Sequence, residues 1–536
     1  MGIALKKILT KKSLIPFLSG LLLCTGLYSV DLGLHLYPAY DLTIKNFLNE
    51  KNAFSIDAGI DIAPVTIRER DKLFFSLDFT YTGIPLSNFP LQNAFDGTLG
   101  IGYKCRINDR FSAFAELRGG LWVYTPSKSF DVSSLSGLLF GARAGAEYNI
   151  SPYFSAAAFV GFKSFYSKPA PLINDIQIGA GIKYNLSRSL SSSNAILIEE
   201  NEVEPLFPVF YSHYSENPFG TFSFVNNEEN DIYNVEVSVF VDSYMTAPCI
   251  VYTNPHIKRG EEFEASLCSM FNDNILDLLQ PKSSDIKIIV SYYSLGQKLS
   301  ITKDFPLIIL SRNSMTWEDD RRAAAFVSGK DSTVQRFARL VKGAVKNNLR
   351  SDIPQNIQYA AAIFGALKAF GINYVVDPSS AFTDNTGTAA VDFLQFPYQT
   401  LLYHGGDCDD LTILNCSLLE ALGIETAFIT VPGHIYMAFD SGLPVEKAAS
   451  VRKEYYIESE DKLWVPVEIT LSQDTFSLAW SYGAREWKKA GKEALLIPLK
   501  EAWSIYKPIS VHGSDVAIDI PSAETLIKYF KEARYY

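Results

Sequence analysis

The chain has 536 residues, 47% of them hydrophobic and 20% charged. That length suggests about three domains, and the composition excludes a disordered chain. With Lys+Arg 48 against Asp+Glu 59, the net charge is −11 and there is no basic block, so nucleic acid is not an expected partner. Six cysteines in this length do not make a disulfide scaffold; Cys249 and Cys268, inside one β-rich region, are the pair best placed to bridge.

Residues 1–29 read as a secretory signal. Lys6, Lys7, Lys11 and Lys12 precede a short apolar run from Leu14 to Leu27, with cleavage near Ser29. That run is too short for a comfortable membrane-spanning helix. Cys24 raises a lipoprotein alternative, although Leu23 before it is bulkier than such sites favour.

Residues 30–187 alternate with period two, the signature of strands. The clearest case is Leu138 to Asn149. Leu138, Phe140, Ala142, Ala144, Ala146 and Tyr148 fall on one face; Leu139, Gly141, Arg143, Gly145, Glu147 and Asn149 fall on the other. Eight such strands of about 10 residues match a small up-and-down barrel. One face is apolar. The other mixes glycine with Asp57, Asp61, Asp78, Glu116 and Glu147 and with Lys104, Arg118, Arg143, Lys163 and Lys183. Balanced charges suit a sealed interior with lipid outside; a soluble barrel would reverse the faces. Tight turns at 107–110 and 149–152 alternate with longer loops, and Tyr103, Phe111, Tyr148, Phe154 and Tyr184 form a candidate aromatic girdle near the tight turns. The pattern resembles small eight-stranded outer-membrane barrels with a C-terminal periplasmic domain. That resemblance implies an outer-membrane location, lipid around the barrel and the rest of the chain in the periplasm.

Residues 188–205, serine-rich and then acidic, read as a linker. Residues 206–312 carry short strand-like runs at 221–225, 235–241, 262–267, 286–293 and 299–310 separated by turn signals, which favours an immunoglobulin-like β-sandwich. No catalytic constellation is visible there, and a spacer is the expected role.

The chemistry concentrates in residues 313–536. Helical patterns at 333–348 and 356–370 lead to Gly406-Asp407-Cys408-Asp409-Asp410 and an apolar helix. Cys408 thus stands at a helix N-terminus, where N–H groups favour a thiolate; the flanking aspartates oppose it. A strand, the turn Pro432-Gly433 and a returning strand present His434 as the base, and Glu468, alone in the apolar run 463–470, is a carboxylate that needs a partner. Nucleophile, imidazole and carboxylate form a triad layout. Asp440, on the His434 strand, is the rival orienter. The expected oxyanion donor is the Cys408 N–H, with Gln395, Tyr398 or Gln399 as side-chain candidates. Cys416 reads as core. His404, Asp407, Cys408, Asp409 and Asp410 crowd too closely for a familiar zinc spacing, so no metal and no cofactor are expected.

Gly406-Asp407-Cys408-Asp409-Asp410, then Gly433-His434-Ile435-Tyr436, then Trp464-Val465-Pro466-Val467-Glu468-Ile469-Thr470 resemble the bacterial transglutaminase-like superfamily. The resemblance implies a papain-like α+β domain with Cys408 as nucleophile, His434 as base and Glu468 where the family usually has Asp. It implies acyl transfer or hydrolysis on amide bonds of a protein or peptidoglycan substrate. A non-catalytic outer-membrane structural or adhesion protein, using that fold to bind, is the alternative. The expected fold class is therefore multidomain: all-β barrel, immunoglobulin-like sandwich, then the α+β domain. Oligomeric state is left open.

Overall fold

The computed structural model describes residues 31–45, 52–67, 71–85, 90–126, 134–167, 173–190, 194–376, 390–446, 453–459 and 461–533. The signal sequence and Cys24 lie outside these residues.

Eight antiparallel strands close into a barrel: β1 Asp31–Lys45, β2 Ala53–Thr66, β3 Lys72–Ile84, β4 Gln92–Arg106, β5 Phe111–Thr125, β6 Leu135–Asn149, β7 Phe154–Tyr166 and β8 Ile173–Asn185. Each strand pairs with its sequence neighbour, and β1 closes on β8. The period-two pattern fixes which face turns inward. Leu99 and Leu117 stand outward, 68% and 67% exposed, whereas Asp57, Asp78, Glu116, Arg118 and Arg143 are buried inside. Arg118 reaches Asp57 at 3.0 Å and Asp78 at 3.1 Å. Arg143 lies 3.2 Å from Asp57 and 3.5 Å from Asp78, and its Nε donates to Glu116. Lys104 pairs with Glu147 at 2.7 Å and Lys183 with Asp61 at 2.6 Å. Two members escaped the sequence reading: His35, 2.7 Å from Asp78, and Asp96, 3.4 Å from Lys163. The girdle aromatics pack as rings, Phe111 on Tyr148 at 4.8 Å and Phe154 on Tyr184 at 5.1 Å between centroids.

The linker expected over 188–205 is corrected. A short helix, Leu186–Leu190, follows the barrel, and β9, Ile196–Val203, is a strand of a three-stranded sheet. Ile196 and Ile198 are buried while Glu199, Glu200 and Glu202 face solvent. The acidic run that suggested a linker is the charged edge that keeps an outer strand from pairing further. The sheet order is β13 (Glu262–Ser266), β10 (Gly220–Asn226), β9. A four-stranded sheet, in the order β12 (Cys249–Ile257), β11 (Ile232–Val241), β14 (Lys282–Ser294), β15 (Gln297–Ile309), faces it. Phe222 meets Phe305 edge-on at 4.7 Å between the layers. Cys249 and Cys268 are both free thiols here.

This layer sits against the tight-turn end of the barrel. Glu229, in the β10–β11 turn, binds Lys72, and Arg106 donates to the Glu229 carbonyl at 2.9 Å and to Asn230. Arg188 pairs with Glu228, which also accepts from the Tyr292 hydroxyl at 2.6 Å, and Arg110 donates to the Leu295 carbonyl at 3.0 Å.

One hydrophobic core runs on from the two sheets into residues 313–533, so no gap in packing falls at 312. Short strands β16 (Ser314–Met315) and β18 (Asp392–Phe393) pair, as do β17 (Asn373–Tyr374) and β19 (Gly405–Gly406). A five-stranded sheet has the order β22 (Ile457–Ser459), β23 (Lys462–Val467), β21 (His434–Pro444), β20 (Thr426–Val431), β24 (Leu495–Pro498). Helices Ser332–Val345, Gln355–Phe370, Pro397–Tyr403, Cys408–Glu420, Phe476–Ala490, Leu499–Ala502 and Ala523–Ala533 also lie in this region.

Candidate functional site

Cys408 is the first residue of the Cys408–Glu420 helix. Asp407 caps that helix by accepting from the Asp410 N–H at 3.4 Å. The approach to the helix is β19, and Gly406 is required there: a Cβ on it would stand 2.5 Å from the Cβ of Asp410. The helix packs on β21 through Thr412, whose hydroxyl reaches the Cys408 carbonyl at 2.6 Å and the Ile435 carbonyl at 3.4 Å. Cys408 therefore lies beside Ile435, the residue after His434.

Gly433, at φ 74°, closes the β20–β21 turn and sets His434 at the start of β21. His434 Nε2 is 2.8 Å from Glu468 Oε2, and its ring stacks on Tyr436 at 5.7 Å. Glu468 falls just beyond β23 rather than within a strand as its apolar run suggested. Its Oε1 accepts from the Thr470 hydroxyl at 2.6 Å and the Thr470 N–H at 3.2 Å. Thr470 thus fixes the carboxylate that faces the imidazole, a role hidden in the sequence although the residue closes the third motif. Asp440, the rival, accepts instead from the Gly442 N–H at 2.9 Å, six residues along β21 from His434.

The electrostatics are uneven. Burial alone would raise Glu468, but the hydrogen bond and charge of His434 and the bonds from Thr470 outweigh it and hold the carboxyl below its ordinary value. Burial, then the charges of Asp409 and Asp407, push the Cys408 thiol up to about 12, against the N–H groups of Ile435 and Asp409. The Tyr374 phenol also titrates high, from partial burial and then from Cys408, Asp407 and Glu468 close by. Of the side-chain oxyanion candidates, Tyr398 is bonded to Arg312 at 2.8 Å and Gln399 to Phe396 and Asn313 at 2.8 Å each. Gln395 is held by its N–H to Asp410 at 2.7 Å. Cys416 is fully buried in the core.

Carboxylate oxygens of Asp407, Asp409 and Asp410 lie within 4.8 Å of one another, the one grouping at this site with the density to hold a cation among the described residues. Each also accepts a backbone N–H, which ties the trio to shaping the helix start. Burial and the charges of Asp407 and Asp392 carry Asp410 up to about 8. Its carboxyl is then ionised in the unfolded chain but protonated in the folded one across the interval from its ordinary value to about 8, and folding loses stability as pH rises through it. Asp410→Asn keeps the oxygen that accepts from Gln395 and removes that penalty. Its Tm should exceed the parent's by a margin that is small at pH 4 and grows by several degrees at pH 8. Melting curves at the two pH values measure this; a margin independent of pH would refute it.

Fold and site together define a closed antiparallel β-barrel joined to a strand-and-helix region that holds a cysteine, a histidine and a glutamate in one corner. No family model matches the chain, and no curated protein matches it. Solved structures do. Neisserial surface protein A is 12% identical over 30% of this chain and 99% of its own, with a TM-score of 0.25. Ail, the attachment invasion locus protein of Yersinia pestis, is 16% identical over 29% of this chain and 97% of its own, with a TM-score of 0.21. The N-terminal β-barrel domain of OprF from Pseudomonas aeruginosa is 11% identical over 28% of this chain and 96% of its own, with a TM-score of 0.20.

Proposed function

We propose that this chain is an outer-membrane-anchored, transglutaminase-like thiol enzyme whose C-terminal half works in the periplasm. The observation that carries the chemistry is the 2.8 Å contact of His434 with Glu468 beside a cysteine at a helix start. The apolar outer face and the ion-paired interior of the barrel support the anchor. The two facing sheets, three strands against four, support an immunoglobulin-like sandwich as the spacer. On this reading residues 1–29 are the export signal, 30–187 the barrel, 206–312 the sandwich, extended back to β9, and 313–536 the catalytic region.

The imidazole takes the Cys408 proton, and the sulfur adds to an amide carbonyl. The tetrahedral adduct is stabilised by the Cys408 N–H, and its C–N bond breaks as the amine leaves with the imidazolium proton. Water then opens the thioester, giving a carboxylic acid and the free thiol; an amine in place of water gives a new amide. Protein and peptidoglycan amides both fit this step. A second reading, a binding protein of the outer membrane that uses the same fold without catalysis, is favoured by the thiol standing at about 12.

Iodoacetamide labelling of the full chain in detergent separates them. Selective modification of Cys408 at pH 7, reduced at least roughly tenfold in His434→Ala, supports the enzyme; labelling at Cys408 indifferent to His434 supports the binding protein. Heat-modifiable migration of the same sample tests the barrel, and recovery in the soluble periplasmic fraction would reject the anchor.

A further inference from the structure

The surface around Cys408 has a composition of its own. Tyr374, Val375 and Val376 are 41%, 57% and 66% exposed, and Val391 and Phe393 are each 51% exposed. Tyr374 ends β17, which runs parallel to the two glycines before Asp407-Cys408, and the two valines follow it. The other two flank Asp392 on a segment held to the Cys408 helix by the bond from the Gln395 N–H to Asp410. Grouped exposed apolar side chains mark a binding surface, in contrast to single ones scattered over a protein.

The backbone of this rim is also half used. Asn373 donates its N–H to the His404 carbonyl at 3.0 Å, and Val375 donates to the Gly406 carbonyl at 2.9 Å. In a parallel ladder the alternate residue, Tyr374, then turns its N–H and C=O to the other side, where among the described residues no strand pairs with them. The Tyr374 side chain meanwhile feels the charges of Cys408 and Glu468.

We infer that Tyr374, Val375 and Val376 form the specificity surface of the thiol site, and that it takes an extended, uncharged stretch of polypeptide with aliphatic or aromatic side chains. This rests on the thiol reading above and narrows it. An added strand gains main-chain hydrogen bonds along Tyr374, while its apolar side chains cover the valines and Phe393. The carbonyl to be attacked lies a residue or two beyond the paired stretch. A peptidoglycan stem peptide, with D-centres and free carboxylates, keeps neither the ladder nor the apolar contact, and Asp407 and Glu468 repel its charge.

The test uses three haloacetamide probes on the full chain in detergent: the bare haloacetamide, one on an acetylated L-Val-L-Phe-L-Val peptide, and one on a stem-type peptide with D-residues and free carboxylates. The apolar peptide probe should label Cys408 about tenfold faster than the bare reagent, the gain of burying about one valine side chain. Val376→Asp should bring that ratio toward one, whereas Leu340→Asp, an exposed position on the Ser332–Val345 helix, should leave it unchanged. Equal rates for all probes, or a preference for the stem-type probe, overturn the inference while His434-dependent labelling stands. Loss of the His434 dependence itself overturns the thiol reading and this inference with it.

Discussion

Glu468→Gln should slow iodoacetamide labelling of Cys408 at pH 7 by roughly 10²–10⁴-fold, while Asp440→Asn should change it less than about twofold. With burial and two aspartates pushing the thiol up to about 12, the proposed chemistry needs the His434 imidazole to take its proton if the sulfur is to ionise near neutral pH. In that scheme the carboxylate 2.8 Å from Nε2 would stabilise the imidazolium so formed. Glutamine fills the same volume and keeps an oxygen for Thr470, but it carries no charge. It can also turn its NH₂ toward Nε2 and stabilise the wrong tautomer. Asp440 is spent on the Gly442 N–H and makes no bond to the ring. Rates across pH 6–10 give the check: the glutamine variant should gain rate steadily with pH yet still trail the parent at pH 10, where a thiol pushed up to about 12 is sparsely ionised. Equal rates for Glu468→Gln and the parent, or a fall in Asp440→Asn of the same size, would remove Glu468 from the role.

Arg143→Met should destabilise the folded barrel by about 3–5 kcal/mol, the cost of leaving buried acids without their cation. Arg143 serves Asp57, Asp78 and Glu116 at once. Arg118 still covers Asp57 and Asp78 in the variant, but Glu116 keeps only the Ser76 hydroxyl among these groups. Adding Glu116→Gln to Arg143→Met should therefore restore part of the loss, whereas Glu116→Gln alone should destabilise only mildly. Urea midpoints of the heat-modifiable band provide the measurement. A midpoint unchanged in Arg143→Met would mean the interior is wet enough to solvate the acids, and the sealed-network description would fail.

Much of this architecture could be read before any coordinates. The barrel was legible because its two faces contrast sharply: Leu138 and Phe140 alternate with Leu139, Arg143 and Glu147 along one strand. His35 and Asp96 escaped because they lie in strands whose alternation is weaker, and their partners Asp78 and Lys163 come from other strands. β9 was misread because only Ile196 and Ile198 carry its buried face, while its glutamates copy the composition of a linker. β12, Cys249–Ile257, left no mark either, since Pro255 and the polar Thr253 and Asn254 blur its pattern. At the site, Cys408, His434 and Glu468 stood out by residue type and order. Thr470 and the Ile435 N–H did not, because backbone donors and short polar side chains carry no signature until the helix and the sheet are brought together. The choice between Glu468 and Asp440 likewise rests on the direction in which β21 and the end of β23 present them.

The bonds of Glu228, Glu229 and Asn230 to Lys72, Arg106 and Arg188 couple the lower portion of the molecule to the barrel as an arm to an axle. On the function proposed above, a barrel turning about the bilayer normal would carry the Cys408 sulfur round at a fixed distance from the lipid rather than let it wander through a sphere. Reach from the membrane would then select a target before its side chains do, and lengthening the connection at Leu186–Leu190 would widen that range.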